Sequence, residues 1–237
     1  MKLKGVLFDL DGTLLPMDND EFVKIYFKLL SAKAVGWGYN PDTISDGIWQ
    51  GTKAMVMNDG SRLNMDAFWD TFDVLMEKDT RADIRKFDSF YTGEFHQAKV
   101  GTGENPLACE AVALAKEKAG TVVLATNPLF PPCGVETRMG WVGLHYDDFA
   151  LVTNYENSHY CKPNPDYYLE IMQKLNLDPK ECLMVGNDMD EDVIPAKGLG
   201  MKTFLLTDSL INRKNKSLDE ADAHGSFVDL LQYLRAL

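Results

Sequence analysis

Two aspartates stand two positions apart near the start of the chain, in the run Asp9-Leu10-Asp11-Gly12-Thr13. They close an apolar stretch that reads as a buried strand over residues 4–10, so they should lie where that strand ends. Residues two apart on a strand face one side, and paired carboxylates repel unless a cation or a shared proton relieves them. Gly12 permits the tight turn that would bring backbone amides up to an anion. An ordinary acidic turn after a strand has the same appearance. A second acidic group, Gly186-Asn187-Asp188-Met189-Asp190-Glu191-Asp192, follows another apolar run at 182–185. Asp188 and Asp192 share a face if a helix starts there, and so many oxygen-bearing side chains suit magnesium. The favourable dipole of a helix start would also explain them.

Two groups able to meet a phosphate lie between these clusters. Thr126 ends the β-branched run TVVLAT and precedes Asn127-Pro128, and its hydroxyl can donate to a phosphate oxygen. Lys162 precedes Pro163, which keeps the lysine backbone extended, and its ammonium can neutralise a phosphoryl group. Singly, a threonine at a strand end and a surface lysine are commonplace.

These residues need strands to carry them, and the periodicity supplies strands alternating with helices. Strands are predicted at 4–10, 121–126, 149–152, 182–185 and 201–206. Helices are predicted at 106–119, 135–139, 165–175, 190–198 and 226–237, the third capped by Asn164 with proline first. Between the first strand and residue 100 the pattern is helical throughout. Phe22 to Leu30 form one stripe, Ile44 to Val56 another, Met65 to Met76 a third with Asn64 as its cap, and Ile84 to Phe95 a fourth. The expected architecture is an α/β core, a doubly wound parallel sheet, at 1–16 and 100–237, with a helical bundle inserted at 17–99. Ligands of such sheets bind at the carboxyl ends of the strands, where all the groups named above fall.

Composition narrows the class further. The 237 residues carry 36 acids against 24 basic groups, a formal net charge of -12. Such a surface disfavours nucleic acid and anionic membranes as partners. The four cysteines and four histidines are scattered, without the spacing of a zinc site. A cytoplasmic protein is expected, as a monomer or small homo-oligomer.

Taken together and in chain order, the four strand ends resemble the haloacid dehalogenase superfamily of phosphotransferases. D-x-D-G-T appears as Asp9 to Thr13, the Ser/Thr of the second motif as Thr126, the lysine before proline as Lys162, and the acidic segment as Gly186 to Asp192. The helical insert sits where that family's first cap type sits. The resemblance implies that Asp9 is the nucleophile and becomes an aspartyl-phosphate. Asp11 would protonate the leaving oxygen and then activate water. Gly12, Thr126, Asn127 and Lys162 would surround the phosphate, with Thr126 and Lys162 stabilising its charge. Magnesium would be held by Asp9, the Asp11 carbonyl and Asp188, with Asp192 close by. Where the family often has Gly-Asp, this chain has Gly186-Asn187, so Asn187 competes with Asp188 as ligand. Dehalogenases of the family lack the second aspartate of the first motif, whereas mutases such as beta-phosphoglucomutase keep it. The resemblance thus makes a phosphatase acting on a small phosphorylated metabolite the leading expectation, and a phosphoryl mutase the alternative. A phosphorylated receiver and a catalytically silent binding protein are the readings from other classes. Met55, Met57, Asn58, Arg62 and Trp69 are candidates for substrate contact, though such residues at helical spacing more often form bundle core.

Overall fold

In the computed structural model, residues 3–237 are described; Met1 and Lys2, which begin the expected core unit, lie outside them. Six strands form one all-parallel sheet in the order β3-β2-β1-β4-β5-β6. They are β1 (Gly5–Phe8), β2 (Thr121–Leu124), β3 (Leu151–Val152), β4 (Cys182–Gly186), β5 (Lys202–Leu206) and β6 (Ala223–Gly225). The order reverses direction at β1, so the crevice between β1 and β4 is the topological switch point of a doubly wound sheet. Receiver modules of the CheY kind run 2-1-3-4-5, which sets that reading apart from this chain.

The sheet is apolar on both faces, as parallel sheets are. From β1, Val6 and Phe8 join one core cluster with Ala111, Val112 and Leu230, while Leu7 joins the other with Tyr168, Ile171 and Ala196. Among the described residues, nine α-helices supply these layers and the helical block between β1 and β2. They are α1 (Asn19–Gly36), α2 (Ile44–Val56), α3 (Asn64–Met76), α4 (Ile84–Thr92), α5 (Ala108–Ala119), α6 (Pro132–Trp141), α7 (Pro165–Leu175), α8 (Ile194–Gly198) and α9 (Phe227–Ala236). Helices α5 and α9 cover the first face, α7 and α8 the second. Among the described residues, no helix is long and apolar enough to cross a membrane.

Expected boundaries moved at the strand ends. Strands β1 and β2 stop at Phe8 and Leu124, so Asp11 and Thr126 stand beyond the ladder on the connecting loops, while the Asp9 amide still donates to Val185 of β4 at 2.9 Å. Strand β6 escaped prediction because its three residues, Ala-His-Gly, carry no apolar run. The acidic segment does not enter a plain α-helix: Asp188 caps a single π-helical stretch, Met189–Val193, that leads into α8.

Helices α1 to α4 follow β1 directly, as the helical periodicity required, and they are joined to the sheet layers by an aromatic seam. Tyr26 and Tyr91 share a 2.8 Å hydroxyl hydrogen bond, and both rings pack on Phe95 and on Phe130 of the loop after β2. Asn64 adds a polar clamp. It was expected to cap α3, but Leu63 holds the cap position and the Asn64 side chain is fully buried. Its Nδ2 donates to the carbonyls of Tyr160 and Pro128, at 3.3 and 3.4 Å, and its Oδ1 accepts from Asn58 at 2.9 Å. The Asn64 and Met65 amides donate to Ser158 and Tyr155 at 2.9 and 2.8 Å.

Asn64→Ala would leave two buried carbonyls and the Asn58 amide without their partner. It should lower stability by about 1–3 kcal/mol, read as a shift of the urea midpoint. An unchanged midpoint would show that the clamp contributes nothing.

Candidate active site

Asp9, Asp11, Thr126, Asn127, Asn187, Asp188 and Asp192 line one cavity of about 490 Å³ at the switch point. At its floor Lys162 is 1% exposed and donates to Asp9 Oδ1 at 2.8 Å and to Asp192 Oδ1 at 2.7 Å. Burial works against the ammonium, but the charges of Asp192 and Asp9 outweigh it and hold the lysine well above its ordinary pKa. Burial drives the Asp192 carboxyl upward and Lys162 pulls it back. Its oxygens accept from Lys162 and from the Asn187 and Asp188 amides, the last two at 3.1 and 3.0 Å, as a carboxylate would.

The loops that bring these groups together are themselves tied. Asn127 Oδ1 accepts the Lys162 amide at 3.3 Å, and Asn127 Nδ2 donates to Glu191 at 3.1 Å. The Thr126 carbonyl accepts the hydroxyls of Thr153 and Tyr167 at 2.7 and 2.9 Å. The Thr126 hydroxyl, by contrast, has no hydrogen-bond partner among the described residues. Gly12 adopts a φ of 84°, and a side chain there would sit 2.3 Å from the Asn187 amide nitrogen. Its own amide donates to the Leu15 carbonyl at 2.7 Å, so the glycine contributes the turn and leaves that amide unavailable to an anion.

Asn187 is wired into the scaffold. Its Oδ1 accepts from Thr13 at 3.1 Å, and its Nδ2 donates to the Ser209 carbonyl at 2.7 Å. Asp188 uses Oδ1 to cap the π-helical stretch, accepting from the Asp190 and Glu191 amides. Its Oδ2 meets only the exposed Arg213, at 3.4 Å.

The carboxylate pair of the first motif is relieved by two different cations. Asp9 turns to Lys162, while Asp11 Oδ2 pairs with the Arg138 guanidinium. Burial raises the Asp11 carboxyl above its usual range, against the pull of Arg138. Arg138 comes from α6 and is entirely buried, with its guanidinium 4.0 Å from the centre of the Phe130 ring. Burial also pushes Glu191, which faces the same cavity, up to about 7.

A family model described as haloacid dehalogenase-like hydrolase matches residues 3–200. The chain belongs to that family. It is 29% identical over 208 residues to a phosphoglycolate phosphatase of Vibrio vulnificus, covering 87% of this chain and 84% of the relative. It is 27% identical over 203 residues to an N-acetylmuramic acid 6-phosphate phosphatase of Pseudomonas putida, covering 86% and 82%. Among solved structures it shares the fold of the HAD hydrolase YfnB of Bacillus subtilis, described as bound to magnesium. That match has a TM-score of 0.59 at 16% identity over 99% and 100% of the two chains.

As a haloacid dehalogenase-like hydrolase, the chain shows where sequence reasoning fell short. Arg138 was overlooked, although Val135, Arg138 and Met139 fall at i, i+3 and i+4, which places an arginine within the buried stripe of α6. Thr13 and Glu191 were not assigned roles, yet Thr13 lies 3.2 Å from Asp9 and Glu191 braces Asn127. The five residues named as possible substrate contacts do not line the cavity. Met55 and Trp69 are buried, Asn58 serves the Asn64 clamp, Arg62 pairs with Asp70, and Met57 points outward. Phe22, Val23 and Lys24 of α1 and Trp49 of α2 instead wall the cavity.

Gly186 leaves room for the Asp192 carboxylate, whose Oδ2 would lie 2.2 Å from an added Cβ. Gly186→Ala should therefore displace Asp192 from both amides and cost about 1–3 kcal/mol. Gly140→Ala, with no atom within 4 Å and an ordinary backbone, should be neutral or gain up to about 1 kcal/mol. Thermal unfolding of both variants checks the contrast; equal effects would contradict it.

Proposed function

We propose that the chain is a magnesium-dependent phosphatase acting on a small organic phosphomonoester through an aspartyl-phosphate on Asp9. The observation that carries this reading is the buried Asp9–Lys162–Asp192 array, which opens onto a cavity where the Thr126 hydroxyl is free. Such a floor fixes a carboxylate as nucleophile and offers donors for the oxygens of a transferred group. The names of the relatives, phosphatases of small phosphorylated compounds, support the same reaction.

In the first half, an Asp9 oxygen attacks phosphorus and the bond to the leaving oxygen breaks. Protonated Asp11 gives that oxygen its proton. In the second half, water attacks the phosphorus, Asp11 takes a proton from it, and the Asp9–phosphorus bond breaks to release phosphate. Thr126 and Lys162 stabilise charge on the phosphoryl oxygens throughout. The Asn127 side chain, engaged on both sides, holds the Lys162 and Glu191 segments apart at the distance the site needs.

The donor set fits a hard divalent cation. Asp9, Asp11 and Asp192 face the buried Lys162 and Arg138, and Asp188 meets only the exposed Arg213, so the four aspartates carry negative charge in excess. No three acidic, histidine or cysteine side chains among the described residues form a closed metal cluster. Magnesium characteristically takes one or two carboxylates and completes its shell with water and phosphate. Asp9, the Asp11 carbonyl and Asp188 would hold it, and Asn187, committed to Thr13 and Ser209, would not. Bound there, it supplies electrostatic stabilisation of the phosphoryl group.

Phosphate release from p-nitrophenyl phosphate and from a panel of sugar, nucleotide and glycolate phosphates tests the proposal. Turnover should require magnesium, vanish with chelator, and fall by at least about 1,000-fold in Asp9→Asn with the fold retained. Appreciable turnover by Asp9→Asn would remove the aspartyl-phosphate mechanism.

A further inference from the structure

Arg138 is a fully buried cation of the site that the reaction above does not use. Its guanidinium is wholly buried, and each of its contacts is local: Nη1 to Asp11 Oδ2, Nε to the Gly134 carbonyl at 3.3 Å, and its face against Phe130. Its Nη2 and Asp11 Oδ1 are both buried and without partners. Asp11 stands beyond the end of β1 on a loop, so its backbone alone leaves the side chain free to rotate. A flexible carboxylate that must meet first a leaving oxygen and then a water needs its orientation fixed from outside its own loop. The Arg138 fork is planar and directional, and its own orientation is set by the helix carbonyl and the aromatic face. That aromatic face is not isolated. Phe130 packs on Tyr26 and Tyr91 of the inserted helices, and Gly134 lies directly against the Tyr91 ring.

We propose that Arg138 is a positioning residue for Asp11, holding the carboxylate of the acid–base aspartate in its working orientation from α6. This rests on the role given to Asp11 above. A purely structural ion pair would affect folding alone, whereas a positioning residue affects the turnover step through Asp11 and through no other group.

The test is a double-mutant cycle on the full chain with p-nitrophenyl phosphate, whose leaving group departs without a proton and keeps the Asp11→Asn background measurable. Arg138→Met should lower kcat about 100-fold with KM within about threefold, the cost of a misplaced reacting group. Arg138→Lys, which keeps the charge and folds more readily, should recover about tenfold of that loss. In the Asp11→Asn background, Arg138→Met should change kcat less than about threefold, because the interaction is already gone. Equal losses in both backgrounds, a loss confined to KM, or undiminished turnover would each overturn the proposal. Absence of turnover in the unmodified protein would instead defeat the phosphatase reading. The Arg138–Asp11 coupling is then read from unfolding midpoints of the same variants. A double variant no less stable than the weaker single one is expected, and additive losses would overturn the pairing.

Discussion

A lysine ammonium with almost no exposure to solvent cannot stand alone, and the site is organised around that fact. Removing such an ion from water costs several kcal/mol even after the protein relaxes, so Lys162 requires carboxylates on more than one side. Asp9 and Asp192 supply them, from segments that are remote in sequence and adjacent in the sheet. The loop after β1, the segment before α7 and the turn after β4 must therefore arrive together. If any one is displaced, a buried charge is left unpaired. The asparagines are struts in the same frame: Asn127 fixes the Lys162 backbone, and Asn187 closes the distance between Thr13 and the loop carrying Ser209.

That frame also answers how an acidic protein can receive an anion. The net charge of -12 belongs to the whole chain, but the cavity floor concentrates cations where its acids are densest. In a water-poor pocket local charges dominate over distant ones, which solvent and salt screen. Lys162 and Arg138 nevertheless leave the aspartates in excess. The remaining negative potential favours a divalent cation first, and with it a phosphate group.

Much of this was legible because the chemistry sits at strand ends and strands announce themselves by apolar runs. Asp9, Thr126 and Asp188 follow β1, β2 and β4 within two residues, as their apolar runs imply, whereas Lys162 stands well beyond β3, in the segment before α7. Individual boundaries were less visible. Where a strand stops depends on which backbone groups find partners, and beyond Asp9 the amides of Thr13 and Leu15 turn back to the Leu10 carbonyl. Asn64 failed as a cap for a similar reason. Its sequence neighbourhood describes a helix start, but the buried carbonyls of Pro128 and Tyr160 compete for the same amide, and they are remote in sequence. Arg138 was legible in principle. A basic residue within an apolar stripe signals a buried partner, though nothing in the stripe says which acid that partner is.

The division of labour within the cavity follows from the same geometry. The groups engaged with phosphorus would come from the sheet loops, where mutual pairing leaves little freedom to change any of them. The opposite wall comes from α1 and α2, through Phe22, Val23, Lys24 and Trp49, and none of these is bound into the Lys162 frame. Trp49 is more than half exposed, packs on Phe27 and can be replaced without leaving a buried charge unpaired. In the proposed phosphatase, selectivity for the leaving group would thus vary through α1 and α2 while the reacting floor stays fixed. The seam of Tyr26, Tyr91 and Phe130 joins the two, so a change in the insert that shifts Tyr91 would reach Gly134 and the helix that carries Arg138. Wall and floor are chemically independent and mechanically connected, and that connection limits how far the insert can be altered before Asp11 is disturbed.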